Sequence, residues 1–146
     1  MAQESITQHN LVEQLRRSFP EIEVRLREEE LRASNGKPGN YIVFGIVFDP
    51  LLKRELARGE VTEFLQRLAG FMERVCTSSD SEAINVIWIE IFEWLIHEPV
   101  HLKLLWPILG SATKAKIEDA AVRWGRIGDL PISGLPGALR SILRRH

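Results

Sequence analysis

The hydrophobic pattern of the chain centres on residues 82–97, which read EAINVIWIEIFEWLIH. Eleven of these sixteen residues are apolar, and two of them are tryptophans. At helical spacing the polar residues form one narrow stripe, made of Glu82, Asn85, Glu90, Glu93 and His97. A helix that is apolar around most of its circumference has to be enclosed by other elements. This segment is therefore predicted to be the central helix of one core, with its few acids facing outward.

Helical periodicity predicts further helices on both sides of this segment. They cover Ser5–Ser18, Val61–Cys76, Pro99–Trp106, Ala112–Trp124 and Leu135–Arg145. Asp49 followed by Pro50 is typical of a helix start, with the aspartate as cap and the proline at the first helical position. Gly59 is predicted to end that helix. Only a short polar turn separates Val61–Cys76 from the central helix, so these two helices are expected to pack antiparallel.

Two stretches in the first third of the chain can be interpreted as helices or as strands. Glu21–Arg32 alternates apolar and charged residues at its start, which favours a strand, but continues as EEELR, which favours a helix. Tyr41–Phe48 reads YIVFGIVF, an apolar run too short to be assigned by periodicity. The turn SNGKPGN lies between them. The leading prediction is an all-α fold, and the alternative is an α+β fold with a hairpin over residues 21–48.

The length of 146 residues predicts one compact domain over residues 1–146, built from about six to eight short helices in antiparallel hairpins. Residues 129–136 form a loop in this prediction, ahead of the short basic helix at the C-terminus. The formal net charge is −1, so no overall field attracts the chain to nucleic acid or to a membrane. Nucleic acid is therefore disfavoured as a partner, and the oligomeric state stays open.

The cellular compartment is predicted from the single cysteine and from the N-terminal residues. Cys76 has no second cysteine with which to form an internal disulfide, which fits a reducing environment. The first ten residues, MAQESITQHN, lack the basic and apolar regions of a signal peptide. The longest near-apolar run is too short and too charged to span a bilayer. We therefore expect a cytoplasmic protein that does not enter a membrane.

Charge is distributed unevenly along the chain. Residues 75–102 contain five acids and no Lys or Arg, and the acids are Asp80, Glu82, Glu90, Glu93 and Glu98. Residues 112–146 contain seven Lys or Arg against three acids. The acids could pair internally with this basic segment, or they could form a patch that binds a basic protein surface, where complementary charge speeds association. In the second case, the candidate contact residues are Glu82, Glu90, Glu93 and Glu98.

The letters His97-Glu98-Pro99-Val100-His101 match the H-E-x-x-H signature of zinc hydrolases. That signature requires both histidines on one face of a continuous helix, and Pro99 interrupts the helix between them. A metal-dependent hydrolase using His97, Glu98 and His101 is thus a minor alternative. The spacing of Glu90, Glu93 and His97 resembles half of a di-iron site, but the sequence offers no second matching helix. No cofactor and no metal are predicted.

Several short motifs occur in an order that resembles a group of proteins. They are Phe19-Pro20-Glu21, Gly36-Lys37-Pro38-Gly39, Phe44-Gly45, Ser78-Ser79-Asp80, Glu93-x-Leu95, and Leu109-Gly110-Ser111-Ala112-Thr113-Lys114. This order resembles an uncharacterised group of small bacterial all-helical proteins, some of which are similar to immunity proteins of toxin systems. The resemblance covers residues 19–124. It implies an armadillo/HEAT-like helical fold, and it implies no catalytic residues.

The resemblance moves both ambiguous stretches towards helix, and together with the acidic centre it leads to a functional hypothesis. The expected function is that of a non-enzymatic protein-binding module, and specifically a bacterial immunity protein that neutralises a cognate toxin with a basic surface. A scaffold or adaptor subunit of another complex is the alternative, because both functions require only a binding surface.

Overall fold

The computed structural model describes residues 4–125 and Leu130, and this part of the chain folds into α-helices. Seven helices follow one another in the described residues. They are α1 (Leu11–Ser18), α2 (Glu23–Arg32), α3 (residues 40–56), α4 (Glu63–Cys76), α5 (residues 81–96), α6 (Pro99–Leu105) and α7 (Ser111–Arg123). Short 3₁₀ turns at Pro20–Ile22 and Trp106–Ile108 precede α2 and follow α6. The all-α prediction is confirmed.

The alternative hairpin over residues 21–48 is wrong, because this stretch forms α2 and the first half of α3. The strand-like alternation at the start of α2 misleads because Val24 is 75% exposed, whereas Ile22 and Leu26 are fully buried. The buried positions are thus four residues apart, which places them on one face of a helix.

Helix α3 runs without interruption through Asp49 and Pro50, so the predicted helix start at Asp49 is also wrong. The backbone N–H of Asp49 donates to the carbonyl of Phe44, five residues earlier, which is the hydrogen bond of a π-helical turn. The apolar segment Val43–Phe48 is π-helical, and α-helix continues after it. The wider π turn directly before Pro50 fits a helix that has to continue past a residue with no N–H.

Apart from the start of α1, the other predicted boundaries within the described residues hold to within a few residues. The turn after α4 supplies the predicted cap of α5, since an Asp80 carboxylate oxygen accepts from the N–H groups of Glu82 and Ala83. Gly125 has a φ of 66° and ends α7. Helix α1 begins at Leu11 instead of following Ser5, because Asn10 ties the preceding residues into a turn through its bonds with Thr7 and Ser5. The predicted 129–136 loop, apart from Leu130, and the predicted helix Leu135–Arg145 lie outside the described residues.

Helix α5 is the central helix of the core, as predicted. Seven of its side chains are buried, namely Ala83, Val86, Ile87, Ile91, Phe92, Leu95 and Ile96. It packs on α4, with which it forms a hairpin, and on α7. A second cluster lies around Phe19, whose ring contacts Phe48, Phe64 and Phe71 at centroid distances of 4.9, 5.0 and 6.0 Å. Helix α3 contributes Phe48 to this second cluster, and it also contacts α5 through Tyr41 and Lys53.

Candidate functional site

The candidate site is the seam between α3 and α5, which we define by four residues of each helix. They are Tyr41, Gly45, Asp49 and Lys53 of α3, and Asn85, Glu90, Glu93 and Trp94 of α5. The Asn85 amide donates to the Tyr41 hydroxyl at 2.9 Å, and the Lys53 ammonium lies 5.0 Å from the centre of the Trp94 ring. These contacts advance in the same direction along both helices. The two helices therefore run parallel, as alternate helices do in stacked helical hairpins.

Each helix of the seam contains a π-helical segment, and the two segments face each other. In α3 the segment is Val43–Phe48, and in α5 it is Trp88–Phe92, where the N–H of Glu93 donates to the carbonyl of Trp88. A π turn inserts an extra residue into a helical turn and rotates the side chains that follow it, and such turns occur frequently at functional sites. Glu90 lies within the second segment and its carboxylate reaches α3 at Gly45, which corrects the prediction that all the acids of α5 face solvent.

Gly45 makes the close approach of the two π segments possible. A Cβ atom at this position would lie 3.1 Å from Oε2 of Glu90. The carboxylate of Glu90 thus lies against the exposed edge of α3 at the point where no side chain intervenes. Glycine costs helix stability relative to alanine, so its presence in the interior of α3 indicates that this space is used.

Asp49 is the most unusual side chain of the seam. It is only 6% exposed, and its Oδ1 atom is buried with no hydrogen-bond partner among the described residues. Burial and the nearby charge of Glu90 raise the pKa of Asp49 to about 7, although Lys53 and the Trp94 indole act in the opposite direction. The indole N–H of Trp94 donates to the backbone carbonyl of Glu90 at 2.6 Å, so its proton is already used. A buried carboxyl left in this state costs stability, which makes it a candidate for function.

Glu90 extends the negative charge from Asp49 to the surface. Partial burial raises the pKa of Glu90, and the charge of Glu93 raises it further. Glu90 thus raises the pKa of Asp49, and Glu93 raises that of Glu90, so a nearby cation would favour the charged forms of Asp49 and Glu90. The charge of Lys53 lowers the pKa of Asp49, but the Lys53 ammonium lies over the Trp94 ring.

Exposed aliphatic side chains also occur on both helices of the seam. Ile42 and Ile46 of α3 are 46% and 44% exposed, and Ile89 of α5 is 39% exposed. We call these three residues the aliphatic flank. Further along, Trp124 is half exposed and lies 6.0 Å from the His97 ring, at the C-terminal end of α5. Apolar side chains beside a small number of charges are the usual composition of a protein-binding surface.

The four acids predicted as contact residues do not form one patch. Glu90 and Glu93 lie together in the seam, whereas Glu82 is exposed in the first turn of α5 and Glu98 is exposed after its end. Sixteen residues of helix correspond to a separation of about 24 Å between Glu82 and Glu98. The structure thus unites half of the predicted set and adds Asp49 from another helix.

The predicted internal pairing with the basic C-terminal segment is not observed for the lysines and arginines that the structure describes there. Lys114 lies over the Trp106 ring and Arg123 over the Trp88 ring. Every ion pair within the described residues joins side chains between Glu4 and Arg67. The acids of the seam therefore have no ion-pair partner in the described part of the chain.

The zinc-like motif is divided between two helices, as Pro99 predicts. Helix α5 ends at Ile96 and α6 begins at Pro99, so His97 and His101 belong to different elements. His97 uses its Nδ1 atom for a 2.7 Å contact with the carbonyl of Glu93, and Nδ1 of His101 is buried. Within residues 4–125 and Leu130, no three His, Cys, Asp or Glu side chains are grouped so that they could hold a metal ion.

The sequence pattern does not indicate the positions that two carboxyl groups take in the structure. Asp49 was interpreted as a helix cap, and the Gly45 that precedes it by one turn was the available signal that something approaches α3 closely. Glu73 lies on α4, and its carboxylate accepts from the N–H groups of Ala112 and Thr113 and from the Thr113 hydroxyl. It thereby caps α7, and a Cβ on Gly110 would collide with it.

Comparison with known protein families assigns the chain to a family. The chain matches the profile of a domain of unknown function, DUF7674, over residues 12–125, and it belongs to that family. The match begins in α1 and extends past α7, so it includes both helices of the seam. No curated protein and no solved structure matches the chain. No helix in the described part is both long enough and apolar enough to cross a membrane.

Proposed function

We propose that this protein is a non-enzymatic binding module of the cytoplasm, and specifically an immunity protein that occludes a cognate toxin through the α3–α5 seam. One observation carries the proposal. The partly exposed Glu90 and Glu93 and the buried Asp49 lie on two neighbouring helices that also carry exposed aliphatic side chains, and no lysine or arginine of the described residues forms an ion pair with these acids. A basic partner surface would supply the missing charge and cover the aliphatic flank.

The charge arrangement predicts how such a partner associates. Partly exposed carboxylates attract a basic surface before contact and raise the association rate, whereas the buried part of the interface determines how long the complex lasts. Glu93 would mainly raise the association rate, and the aliphatic flank would mainly lengthen the lifetime of the complex. Glu82 and Glu98, at the two ends of α5, would contribute only to the long-range field.

The test uses the protein encoded beside this gene as the candidate toxin. Co-expression with the present chain should restore growth of cells that the candidate inhibits, and the purified pair should bind directly. The double variant Glu90→Lys with Glu93→Lys should lower the association rate constant about tenfold or more at low ionic strength. It should not lower the melting temperature, because neither glutamate forms an ion pair within the described residues.

The matched control is Glu28→Lys with Asp119→Lys, which changes the net charge by the same amount at exposed positions on α2 and α7. The control should lower the rate only as far as the net charge requires. Equal slowing by both double variants would remove the seam from the interface, and growth that stays inhibited during co-expression would remove the immunity function.

A further inference from the structure

A cavity of about 220 Å³ lies between α2 and α3. Its floor is apolar and consists of the buried Ile22 and Val47 and the partly buried Leu51. A cavity of roughly 10–15 Å³ already holds one water molecule, so this one has room for a side chain of another molecule. Sites that bind a ligand are commonly apolar with a small number of polar groups that fix its orientation.

The polar groups of this cavity are two arginines, one from each helix. Arg25 of α2 and Arg54 of α3 both line it, and both are exposed. Neither arginine forms an ion pair within the described residues. Glu21 also lines the cavity, but its two carboxylate oxygens accept from Arg67 at 2.9 and 2.6 Å. The cavity thus combines an apolar floor with two guanidinium groups that the described chain does not neutralise.

An exposed ridge of α3 connects this cavity with the seam. Gly45 and Lys53 lie on the side of α3 that contacts α5, and successive residues of a helix are about 100° apart around its axis. The ridge consists of Ile46, Pro50 and Arg54, which recur at every fourth position, are exposed and line the cavity. A surface that crosses α3 therefore meets the acids of the seam, then apolar side chains, and then the arginines.

We propose that the cavity receives one acidic side chain of the protein partner, whose carboxylate lies between Arg25 and Arg54. The inference rests on the proposed function and extends its interface from the seam across α3. A guanidinium can donate two parallel N–H groups to one carboxylate, so the arginines fix the orientation of the entering group. The exposed Ile46 and Pro50 favour a protein over a small carboxylate ligand, because only a larger surface covers the ridge as well.

This arrangement of charges determines how a partner is oriented and which partner is selected. A partner that fits carries basic residues opposite Glu90 and Glu93 and an acidic residue opposite Arg25 and Arg54. A reversed partner would place like charges together, and such contacts suppress wrong orientations and wrong partners. The cavity therefore distinguishes the cognate partner from other proteins that are merely basic.

The first test needs no partner protein and uses N-acetylglutamate methylamide, a glutamate residue without its neighbours, as the probe. N-acetylglutamine methylamide has the same shape without the charge and serves as the control. In protein labelled with ¹⁵N in its arginine side chains, the glutamate probe should shift the Nε signals of Arg25 and Arg54 in a saturable manner. The glutamine compound should not. The signals of Arg27 and Arg58, which form ion pairs within the chain, should respond to neither compound.

The second test measures the complex with the candidate toxin. The double variant Arg25→Gln with Arg54→Gln should raise the dissociation rate constant about tenfold, because an inserted carboxylate is then left without its donors. The matched control is Lys37→Gln with Lys103→Gln, which removes the same charge at exposed positions that form no ion pair within the described residues. The control should dissociate like the wild type.

The proposal is overturned if the two probes shift the arginine signals equally, if the glutamate probe gives no saturable shift up to its solubility limit, or if both double variants dissociate equally fast. Its failure is separate from that of the proposed function. Slowed association of the Glu90 and Glu93 reversal variant without a response to the probe would leave the acidic interface and reject the carboxylate site. A response to the probe without a complex would support the carboxylate site and reject the candidate toxin as its partner.

Discussion

The regions around Arg16 and Asp49 differ in whether their charged side chains form ion pairs. On the surface formed by α1, α2 and α4, Arg16 donates to Glu13, Glu23 and Glu30 at 2.6–2.8 Å. In the α3–α5 seam, by contrast, Asp49, Glu90 and Glu93 lie together and form no ion pair within the described residues. The first region uses its charges to hold helices together. The second retains charges that destabilise the isolated chain, which is expected of a surface that a ligand completes.

The largest change in the free energy of unfolding should come from removing the Arg67 side chain, which belongs to the region with ion pairs. This side chain donates to Glu21, Glu63 and the backbone carbonyl of Ser18, and it lies over the Phe19 ring. Arg67→Ala removes these contacts together and should lower the free energy of unfolding by about 2–3 kcal/mol. Urea denaturation measures the loss. Arg54→Ala, at an exposed position on α3, should change it by less than about 0.5 kcal/mol, and an equal loss in both variants would contradict the ion-pair account.

In the seam, by contrast, removing a charged group should raise the free energy of unfolding. The folded-state pKa of Asp49, about 7, lies above the ordinary value of 3.8. Its contribution to stability is therefore fully present below pH 4, declines as the pH rises, and is lost above pH 7. Asp49→Asn should raise the free energy of unfolding by about 2 kcal/mol at pH 8 and change it little at pH 4. Urea denaturation at the two pH values provides the check. A variant less stable than the wild type at pH 8 would show that the Asp49 carboxylate has a partner.

Glu73 offers a third case, a carboxylate satisfied by backbone and hydroxyl donors. Its pKa lies below the ordinary value of 4.5, because the bonds from Ala112 and Thr113 outweigh its desolvation. Its stabilising effect is present above pH 4.5 and is lost as the pH falls through the folded-state pKa. Glu73→Gln should thus lower the free energy of unfolding by about 1 kcal/mol at pH 7 and by less at acid pH. An unchanged stability at pH 7 would exclude Glu73 as the cap of α7.

The smallest effect should come from Glu90→Gln. Removing this charge relieves the repulsion on Asp49, so the pKa of Asp49 should fall and stability at pH 8 should rise by about 0.5 kcal/mol. A variant with an unchanged Asp49 pKa would show that the two carboxyl groups do not interact. Stability and the Asp49 titration together separate this case from a loss of packing, which would lower stability without lowering the pKa.

Much of the fold follows from the sequence because helical periodicity is a local property. The apolar faces of α4 and α5, the cap at Asp80 and the break at Pro99 all depend on residues within a few positions of one another. The division of His97 and His101 between two helices follows from the same local rule.

The candidate site could be predicted only in part, because it depends on two features that are not local. A π turn changes which residues share a face, and 3.6-residue periodicity therefore placed Glu90 outward. Asp49 resembles a cap beside Pro50, and only the packing of α3 against α5 shows that it is buried next to Glu90. Glu73 likewise caps a helix 39 residues further along the chain, a relation that no spacing rule indicates.

The central claim is that the seam holds negative charge that the described residues do not compensate, and the titration of Asp49 tests it most directly. Its carboxyl ¹³C shift should be followed by NMR in the isolated wild-type protein from pH 3 to pH 9. The account predicts a midpoint near pH 7, well above the ordinary value of 3.8. A midpoint at or below 3.8 would mean that a cation or donor of the chain itself already satisfies Asp49, and would contradict the account.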